Sequence, residues 1–174
     1  MRLFIAIDVS KEVHGYLLEL QKSFSNLGSF KFTKTFHITL KFLGWVEDEK
    51  MQLLNNLLKG IKYNSFGITL NNIGVFPSPG SARILWIDIT GNIKCLQEQI
   101  QSKLKKDFGS EERFHPHITL ARIKKINNKE LFKEKLINMK IKNLKFKVKS
   151  FKLVKSELRT TGPVYIDIKE YRLK

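Results

Sequence analysis

The amino-acid sequence predicts an α+β fold with much antiparallel sheet. Apolar runs of strand length alternate with stretches whose apolar residues recur at helical spacing. Toward the end of the chain, Leu144, Phe146 and Val148 alternate with lysines, which is the period of a half-buried strand. Two short segments also recur at one constant offset, which indicates two related halves.

The first half opens with an apolar strand from Leu3 to Ile7, which ends at Asp8. Ser10 is a favourable N-cap for the next helix, whose predicted apolar face contains Val13, Leu17, Leu18 and Leu20. The sequence then predicts a helix at Glu47 to Gly60, a strand at Tyr63 to Leu70 and a loop at Gly74 to Ser81.

The second half repeats this order, with a predicted strand from Arg83 to Ile89 and a helix capped by Thr90. The apolar residues of that helix fall at near-helical spacing: Ile93, Leu96, Ile100 and Leu104. Cys95, the only cysteine, cannot form an intramolecular disulfide, and we expect it to pack within this helix. A further helix is predicted at Asn128 to Met139.

Three strands are predicted to end the fold, at Leu144 to Lys149, Phe151 to Lys155 and Val164 to Arg172. Phe151 cannot share a face with Val148 in an uninterrupted strand, so a bulge or turn is expected at Ser150. The lysines that alternate with the apolar stripe are expected to form a solvated face.

Two repeats carry the evidence for related halves. Ile7-Asp8-Val9-Ser10 recurs as Ile87-Asp88-Ile89-Thr90, and His37-Ile38-Thr39-Leu40 recurs as His117-Ile118-Thr119-Leu120, both at an offset of 80 residues. Two matches in one register favour an internal duplication. Because no linker or low-complexity tract divides the chain, residues 1–174 are expected to form a single bilobal domain.

Composition limits the class of protein. No apolar run approaches the roughly 20 residues that span a bilayer, and we expect a cytoplasmic protein that does not contact a membrane. The net charge of +16 permits a polyanionic partner such as RNA. However, only 6 of the 32 basic residues are arginine, and a general lysine coat explains the charge equally well.

The His-Ile-Thr-Leu motifs are the candidate site. In a strand, alternate side chains share a face, so His37 lies beside Thr39 while Ile38 and Leu40 face the core. The second motif has the same pattern in His117 and Thr119. If the halves are related by a pseudo-twofold axis, both imidazoles converge on one substrate in the cleft between them.

Two facing histidines suit phosphodiester cleavage, because one can deprotonate a water while the other protonates the departing oxygen. Threonine hydroxyls can donate to the non-bridging phosphate oxygens. The chemistry requires no metal or other cofactor, and no multi-histidine ligand spacing or carboxylate cluster accompanies the motifs.

The other two histidines have less specific interpretations. His115 precedes Pro116 at the entry of the second histidine strand, and Thr35 stands in its place in the first half. We interpret His115 as a structural or supporting residue. His14 lies on the first helix, where we expect a surface or packing role.

The sequence resembles the 2H phosphoesterase superfamily, and within it the RNA 2′,3′-cyclic phosphodiesterases once called 2′-5′ RNA ligases. The resemblance runs nearly end to end. It includes the opening Met1 to Asp8, the segments Phe36 to Gly44, Val75 to Gly80, Leu85-Trp86 and Phe114 to Arg122, and the closing Gly162 to Tyr165.

The resemblance implies a bilobal α+β fold with a basic central cleft and hydrolysis of a 2′,3′-cyclic phosphate to a 2′-phosphomonoester. It assigns His37 as proton donor and His117 as proton acceptor, and it places the phosphate against Thr39 and Thr119. The assignment of donor and acceptor comes from the resemblance alone, since the residues are nearly interchangeable by symmetry.

The cation that contacts the phosphate is Arg122 by resemblance. Strand parity puts Arg122 on the face opposite His117 unless the strand bulges or ends near Ala121. Parity instead favours Lys41, on the face of His37 and Thr39. Resemblance therefore ranks Arg122 first, and geometry offers Lys41 as the alternative.

The expected partner is an RNA with a 2′,3′-cyclic phosphate end, for example one derived from tRNA, because the chemistry needs a 2′-oxygen. The chain is expected to act as a monomer. Five aromatic residues are candidates for stacking on an RNA base, although aromatic residues in strands more often belong to the core: Phe36, Phe42, Phe76, Phe114 and Tyr165. Arg83 is a candidate cation of the cleft, with an ordinary surface position as the alternative. The alternatives are hydrolysis of small cyclic nucleotides, 2′-5′ ligation, and a non-catalytic module that binds RNA ends.

Overall fold

The computed structural model describes residues 1–110, 113–160 and 162–174. In this part of the chain the strands are β1 (Arg2–Asp8), β2 (Gly28–Phe32), β3 (His37–Trp45), β4 (Phe66–Phe76), β5 (Ile84–Gly91), β6 (His117–Ile126), β7 (Lys145–Val148), β8 (Ser150–Arg159) and β9 (Gly162–Arg172). The helices are α1 (Lys11–Lys22), α2 (Met51–Lys59), α3 (Ile93–Phe108) and α4 (Lys129–Asn138).

The strands form one antiparallel sheet in the order β7-β4-β5-β6-β3-β1-β8-β9, and β2 pairs with β6 beside this path. The order reads as two sets of four strands that meet where the histidine strands β3 and β6 touch, at the pair Ile38 and Ile118. The predicted α+β class with antiparallel sheet is confirmed.

The two halves of the chain exchange strands. β4, from the first half, pairs with β5 of the second half. In return β8, from the second half, pairs with β1 of the first. We call the two sets of four strands lobes: one contains β7, β4, β5 and β6, and the other contains β3, β1, β8 and β9. Each lobe therefore contains strands from both halves of the sequence.

Most predicted elements are present, with changes at their ends. Ser10 caps α1, since its Oγ accepts a hydrogen bond from the amide of Val13 at 3.3 Å. Leu18, predicted on the apolar face of α1, is exposed because it lies off the stripe formed by Val13, Leu17 and Leu20.

Thr90 does not cap α3, so that prediction is wrong. Thr90 pairs with Thr69 of the long strand β4, which keeps it in the sheet ladder. Gly91 then turns the chain with a φ of +133°, and Asn92 becomes the N-cap. The predicted buried face of α3 is confirmed, but Cys95 is exposed and does not pack within the helix.

The other predicted helices are present. α2 begins later than predicted, because residues Asp48–Lys50 form a 3₁₀ turn before it. α4 agrees closely with the prediction, and Asn128 caps it by accepting bonds from the amides of Glu130 and Leu131.

Strand β4 continues through Phe76, so the first part of the predicted Gly74 to Ser81 loop is strand. The predicted interruption near Ser150 is confirmed, since β7 ends at Val148 and β8 begins at Ser150. The lysines beside the apolar stripe of β7 are exposed, in agreement with a solvated face: Lys145, Lys147 and Lys149.

Among the residues that the structure describes, no helix is both long enough and apolar enough to cross a membrane.

Candidate active site

The two histidine motifs lie side by side at the centre of the sheet. Ile38 pairs with Ile118 in antiparallel register, so each histidine lies next to the threonine of the other motif: His37 with Thr119, and His117 with Thr39. The isoleucines and leucines of both motifs are fully buried. The structure thus brings together the four polar residues that the sequence singled out.

Each histidine strand bulges at the last residue of its motif. Ile5 and Ala6 of β1 face Lys41 and Thr39, so Leu40 is the extra residue of a β-bulge. In the other lobe Leu85 and Trp86 face Ala121 and Thr119, so Leu120 is the extra residue. A bulge reverses the parity of every residue that follows it.

The bulges put the two candidate cations on opposite faces of the sheet. Arg122 is exposed and returns to the face of His117 and Thr119, where Lys31 of β2 is its neighbour. Lys41 turns away from this face and is buried, with Nζ 2.9 Å from the carbonyl oxygen of Gly109 and 3.2 Å from Oε1 of Gln101. The expectation that Lys41 shares the face of His37 is wrong, because parity was counted through an unrecognised bulge.

Two glutamines, the buried Gln21 and the half-buried Gln101, bond to residues at the bulges. Gln21, on α1, donates from Nε2 to the carbonyl oxygens of Leu120 and Thr33, both at 2.8 Å. Gln101, on α3, is the residue 80 positions later, and it accepts the bond from Lys41 in the other lobe. The first helix thus supports the second histidine strand, while the third helix supports the first.

Position 42 corresponds to position 122 at the same offset of 80, and the two residues differ in chemistry. Phe42 pairs with Phe4, whose ring packs 5.1 Å from that of His37, so Phe42 also belongs to the site face. Its side chain is 62% exposed. The site therefore carries a cation on one side and an exposed aromatic ring on the other.

His37 is enclosed by aromatic rings. The centroids of Phe4 and Tyr165 are each 5.1 Å from that of its imidazole. Burial lowers the pKa of His37 to about 4; Asp8 opposes this shift and His117 adds to it. His37 is therefore neutral near pH 7 in the free protein.

His117 is held by the backbone. Its Nδ1 lies 2.7 Å from the carbonyl oxygen of His115, and since a carbonyl can only accept, Nδ1 carries the proton. This leaves Nε2 with a free lone pair. Burial lowers the pKa of His117, while the bond to His115 and the charge of Asp88 act in the opposite direction.

The remaining predicted residues have clear positions. The carbonyl of His115 orients His117, and its ring packs 4.9 Å from that of Trp86, consistent with a supporting role. His14 packs against Phe36, itself in the core, as expected for a packing residue.

Three candidates for base stacking or for a cleft cation lie around the site. Phe76 packs with its ring centroid 5.2 Å from that of the His117 ring. Phe114 is half-buried, and Arg83 is exposed on the chain segment before β5.

Two residues near the histidines were missed as site residues. Asp8 pairs in register with His37, and Asp88 pairs with His117. The signal was present in the sequence, since both aspartates belong to the Ile-Asp repeat at the same offset of 80. In the described part of the chain, no three His, Cys, Asp or Glu side chains are grouped so that they could hold a metal ion.

Comparison with known proteins shows the family. The model of the LigT-like phosphoesterases matches twice, at residues 7–86 and 87–165. The chain belongs to the LigT-like phosphoesterases. The two matched segments start 80 residues apart, which is the offset of the sequence repeats.

Individual relatives agree with this membership. The chain is 35% identical to the RNA 2′,3′-cyclic phosphodiesterase of Methanocaldococcus jannaschii, with 98% of this chain and 100% of the relative covered. It is 32% identical to the protein of the same name from Archaeoglobus fulgidus, with 98% and 99% covered.

Solved structures have the same fold. Protein TT0787 of Thermus thermophilus matches with a TM-score of 0.85 and 26% identity, covering 99% of this chain and 97% of that one. Escherichia coli LigT in complex with 3′-AMP matches with a TM-score of 0.77 and 25% identity, covering 99% and 96%. The predicted family, fold and enzyme class are confirmed: this LigT-like phosphoesterase is a hydrolase.

Proposed function

We propose that this LigT-like phosphoesterase hydrolyses the 2′,3′-cyclic phosphate at RNA ends to a 2′-phosphomonoester, without a metal ion. The observation that carries the proposal is the convergence of His37, Thr39, His117 and Thr119 on one face of the sheet. The names of the relatives from Methanocaldococcus jannaschii and Archaeoglobus fulgidus support the choice of substrate.

In this mechanism His117 is the general base. Its Nδ1 proton is bound to the carbonyl of His115, so Nε2 takes the proton of the attacking water. The water oxygen bonds to phosphorus and the bond from phosphorus to the 3′-oxygen breaks. His37, protonated in the complex, gives its proton to the departing 3′-oxygen.

The low pKa of His37 is compatible with its role as acid. Burial holds that pKa near 4 in the free protein, but the negative charge of a bound phosphodiester stabilises the imidazolium and raises it. Thr39, Thr119 and Arg122 stabilise the charge on the non-bridging oxygens. Phe42 supplies a surface on which the terminal base can stack.

One chain supplies both histidines and both threonines, so a monomer carries the complete site. RNA supplies the 2′-oxygen that the cyclic ester needs, and tRNA-derived ends have the same chemistry as any other RNA end.

The test uses an oligoribonucleotide with a 2′,3′-cyclic phosphate in excess EDTA. We expect full turnover to a 2′-phosphate, identified by its chromatographic separation from the 3′-phosphate. Activity that disappears on chelation and returns with added metal would contradict the metal-free mechanism. A 3′-phosphate product would contradict the proposed bond cleavage.

Replacement of the histidines tests their roles. His37→Ala and His117→Ala are each expected to lower kcat by about 10²-fold or more, because each removes one proton transfer. His14→Asn is the matched control, since His14 packs against Phe36 outside the site, and it should retain turnover. Full activity in either site variant would overturn the assignment.

A further inference from the structure

The face of the sheet that carries His117 extends to the edge strand β7. Asp88 of β5 pairs with His117, and Thr90, two residues further along β5, pairs with Thr69 of β4. Thr69 pairs in turn with Lys145 of β7. Directly opposed residues of an antiparallel ladder share a face, and so do residues two apart in a strand. Lys145 therefore lies on the face of His117.

Lys147 lies on the same face, two residues beyond Lys145, while Phe146 between them is in the core. Both lysines are exposed. Gly67, the partner of Lys147 in β4, faces open space, since a Cβ there would meet no atom within 4 Å. Three strand spacings separate β7 from β6, which is about 14 Å. A bound molecule must therefore extend well beyond the reacting phosphate to contact these lysines.

Cations dominate this face of the lobe that contains β7, β4, β5 and β6, which we call the His117 lobe. The registers of β7, β6 and the adjoining β2 place four exposed cations on it: Lys31, Arg122, Lys145 and Lys147. None of the four has an ion pair with a residue that the structure describes. The carboxylate that these registers add is Asp88, whose Oδ2 accepts a bond from the amide of Asn71 at 3.0 Å.

The same face of the other lobe, which we call the His37 lobe, has balanced charges. In the described part of the chain, the registers of β1, β8 and β9 place three cations and three carboxylates on it: Arg2, Lys152, Arg172, Asp8, Asp167 and Glu170. Nζ of Lys152 lies 2.5 Å from a carboxylate oxygen of both Asp8 and Asp167. A polyanion on this face would meet carboxylates as often as cations.

We propose that the RNA chain leaves the active site across the His117 lobe, and that Lys145 and Lys147 bind its backbone phosphates upstream of the cyclic end. This proposal rests on the proposed function and deepens it, because it gives the path of the substrate beyond the reacting nucleotide.

Charge complementarity is the physical reason. Every phosphate of a single strand carries a negative charge, and cations that neutralise these phosphates release counterions, which stabilises the complex. The His117 lobe offers uncompensated cations along one face, whereas the His37 lobe offers no net charge. The open surface at Gly67 also lets a backbone lie close to the sheet.

The competing interpretation is an ordinary solvated face, on which the lysines contact only water. It predicts that removing Lys145 and Lys147 has no more effect on RNA binding than removing any other two surface charges. The two interpretations therefore differ in a measurement that compares matched pairs of substitutions.

Binding of an octaribonucleotide that ends in a 2′-phosphate tests the path, since this product-like RNA is not turned over. We expect the double variant Lys145→Gln, Lys147→Gln to weaken binding by about fivefold or more at about 0.1 M salt. The slope of log Kd against log salt should become shallower by about 1, because about two phosphate contacts are lost. Fluorescence anisotropy measures both quantities.

Two controls remove the same charge elsewhere. Arg2→Gln, Arg172→Gln changes the same face in the His37 lobe. Lys103→Gln, Lys106→Gln changes exposed positions of α3, which packs on the opposite side of the sheet. Each control should weaken binding by less than about twofold. The proposal is overturned if the β7 variant behaves like the α3 control, or if the His37-lobe variant weakens binding as much as the β7 variant does.

A gain of binding gives an independent test at Gly67. Gly67→Lys adds a cation beside Lys147 where the surface is open, and we expect it to tighten binding of the octamer and to steepen the salt dependence. Ser102→Lys, at an exposed position of α3, is the matched control and should have the smaller effect. Equal effects of the two added lysines would contradict the proposed path.

Turnover separates this proposal from the proposed function. The ratio of kcat/KM for an octamer with a 2′,3′-cyclic phosphate to that for a cyclic mononucleotide should fall in the β7 double variant, because only the octamer reaches the lysines. Lack of turnover of either substrate by the wild-type chain would contradict the proposed function. The anisotropy measurements decide the path of the RNA whatever the outcome of the turnover assay.

Discussion

At the scale of single residues, burial separates His37 and His117 from ordinary surface histidines. Burial lowers the pKa of both imidazoles. Aromatic rings hold His37 in place, and the carbonyl of His115 orients His117 before substrate arrives. A neutral pair is suited to a phosphodiester anion, because the negative charge of the bound substrate stabilises the imidazolium that forms when the acid takes a proton from solvent. Because the fold keeps His37 neutral, the free energy of unfolding should depend on pH.

His37→Asn should reduce the loss of stability in weak acid. The folded-state pKa of His37 is about 4, below its ordinary value of 6.5. Between these values the unfolded chain binds more protons, so the stability that His37 contributes is lost as pH falls. From pH 7 to pH 5 this amounts to about 2 kcal/mol. Urea unfolding at the two pH values measures it, and an equal loss in the variant would contradict the lowered pKa.

Phe42→Leu should raise KM for an RNA 2′,3′-cyclic phosphate more than it changes kcat. The ring is 62% exposed on the site face, and removing a stacking surface costs about 1–3 kcal/mol of binding per base. Trp45→Leu is the control, since Trp45 is a 79% exposed aromatic at the far end of β3. Equal effects on KM would show that Phe42 contributes only general apolar surface.

At the scale of elements, the sequence correctly predicted features that depend on the local pattern of residues. The alternation in each motif predicted the burial of Ile38 and Ile118, and the Ser10 cap predicted the start of α1. The bulge at the last residue of each motif left no local signal. It depends on bonds between segments distant in sequence, such as that from Gln21 to the carbonyl of Leu120, so parity alone placed Lys41 on the wrong face.

Other errors have the same origin. The end of β5 depends on its pairing with β4, which holds Thr90 in the ladder and moves the cap of α3 to Asn92. The proximity of Asp8 and Asp88 to His37 and His117 depends on the register between strands, which the sequence analysis did not predict. Long-range pairing, more than local propensity, limited the sequence analysis.

Gln21→Leu should destabilise the protein and weaken substrate binding together. The buried amide donates to the carbonyls of Leu120 and Thr33. The Leu120 carbonyl keeps its bond from the amide of Thr33 at 2.9 Å, so the loss falls on the Thr33 carbonyl and costs about 1–3 kcal/mol. Because the bulge at Leu120 turns Arg122 toward the site, a relaxed bulge should also raise KM. Urea unfolding and steady-state kinetics measure the two effects.

The control for this change is Gln52→Leu, at an exposed position of α2. It should alter the free energy of unfolding by less than about 0.5 kcal/mol. If Gln21→Leu behaved like this control in both measurements, the glutamine would have no part in holding the bulge.

At the scale of the whole molecule, we infer an internal duplication whose two copies cannot be separated. The repeated segments and the two family matches share one offset, yet each lobe takes a strand from the other half. Buried residues of β1 share one core with Phe151 and Leu153 of β8, the strand that pairs with β1 from about 150 residues later in the chain. The candidate active site lies where the two histidine strands meet.

Fragments of residues 1–79 and 80–174 test this interdependence, because they divide the chain in the exposed turn between β4 and β5. Alone, the first leaves β4 without β5 and the second leaves β8 without β1, so each exposes a sheet edge and apolar core. We expect neither to show a cooperative urea transition. Mixed or co-expressed, they should restore the sheet and the two-histidine site, measured as turnover of the cyclic phosphate. Cooperative unfolding of either fragment alone would show that a single copy is a complete folding unit, in conflict with the exchanged strands.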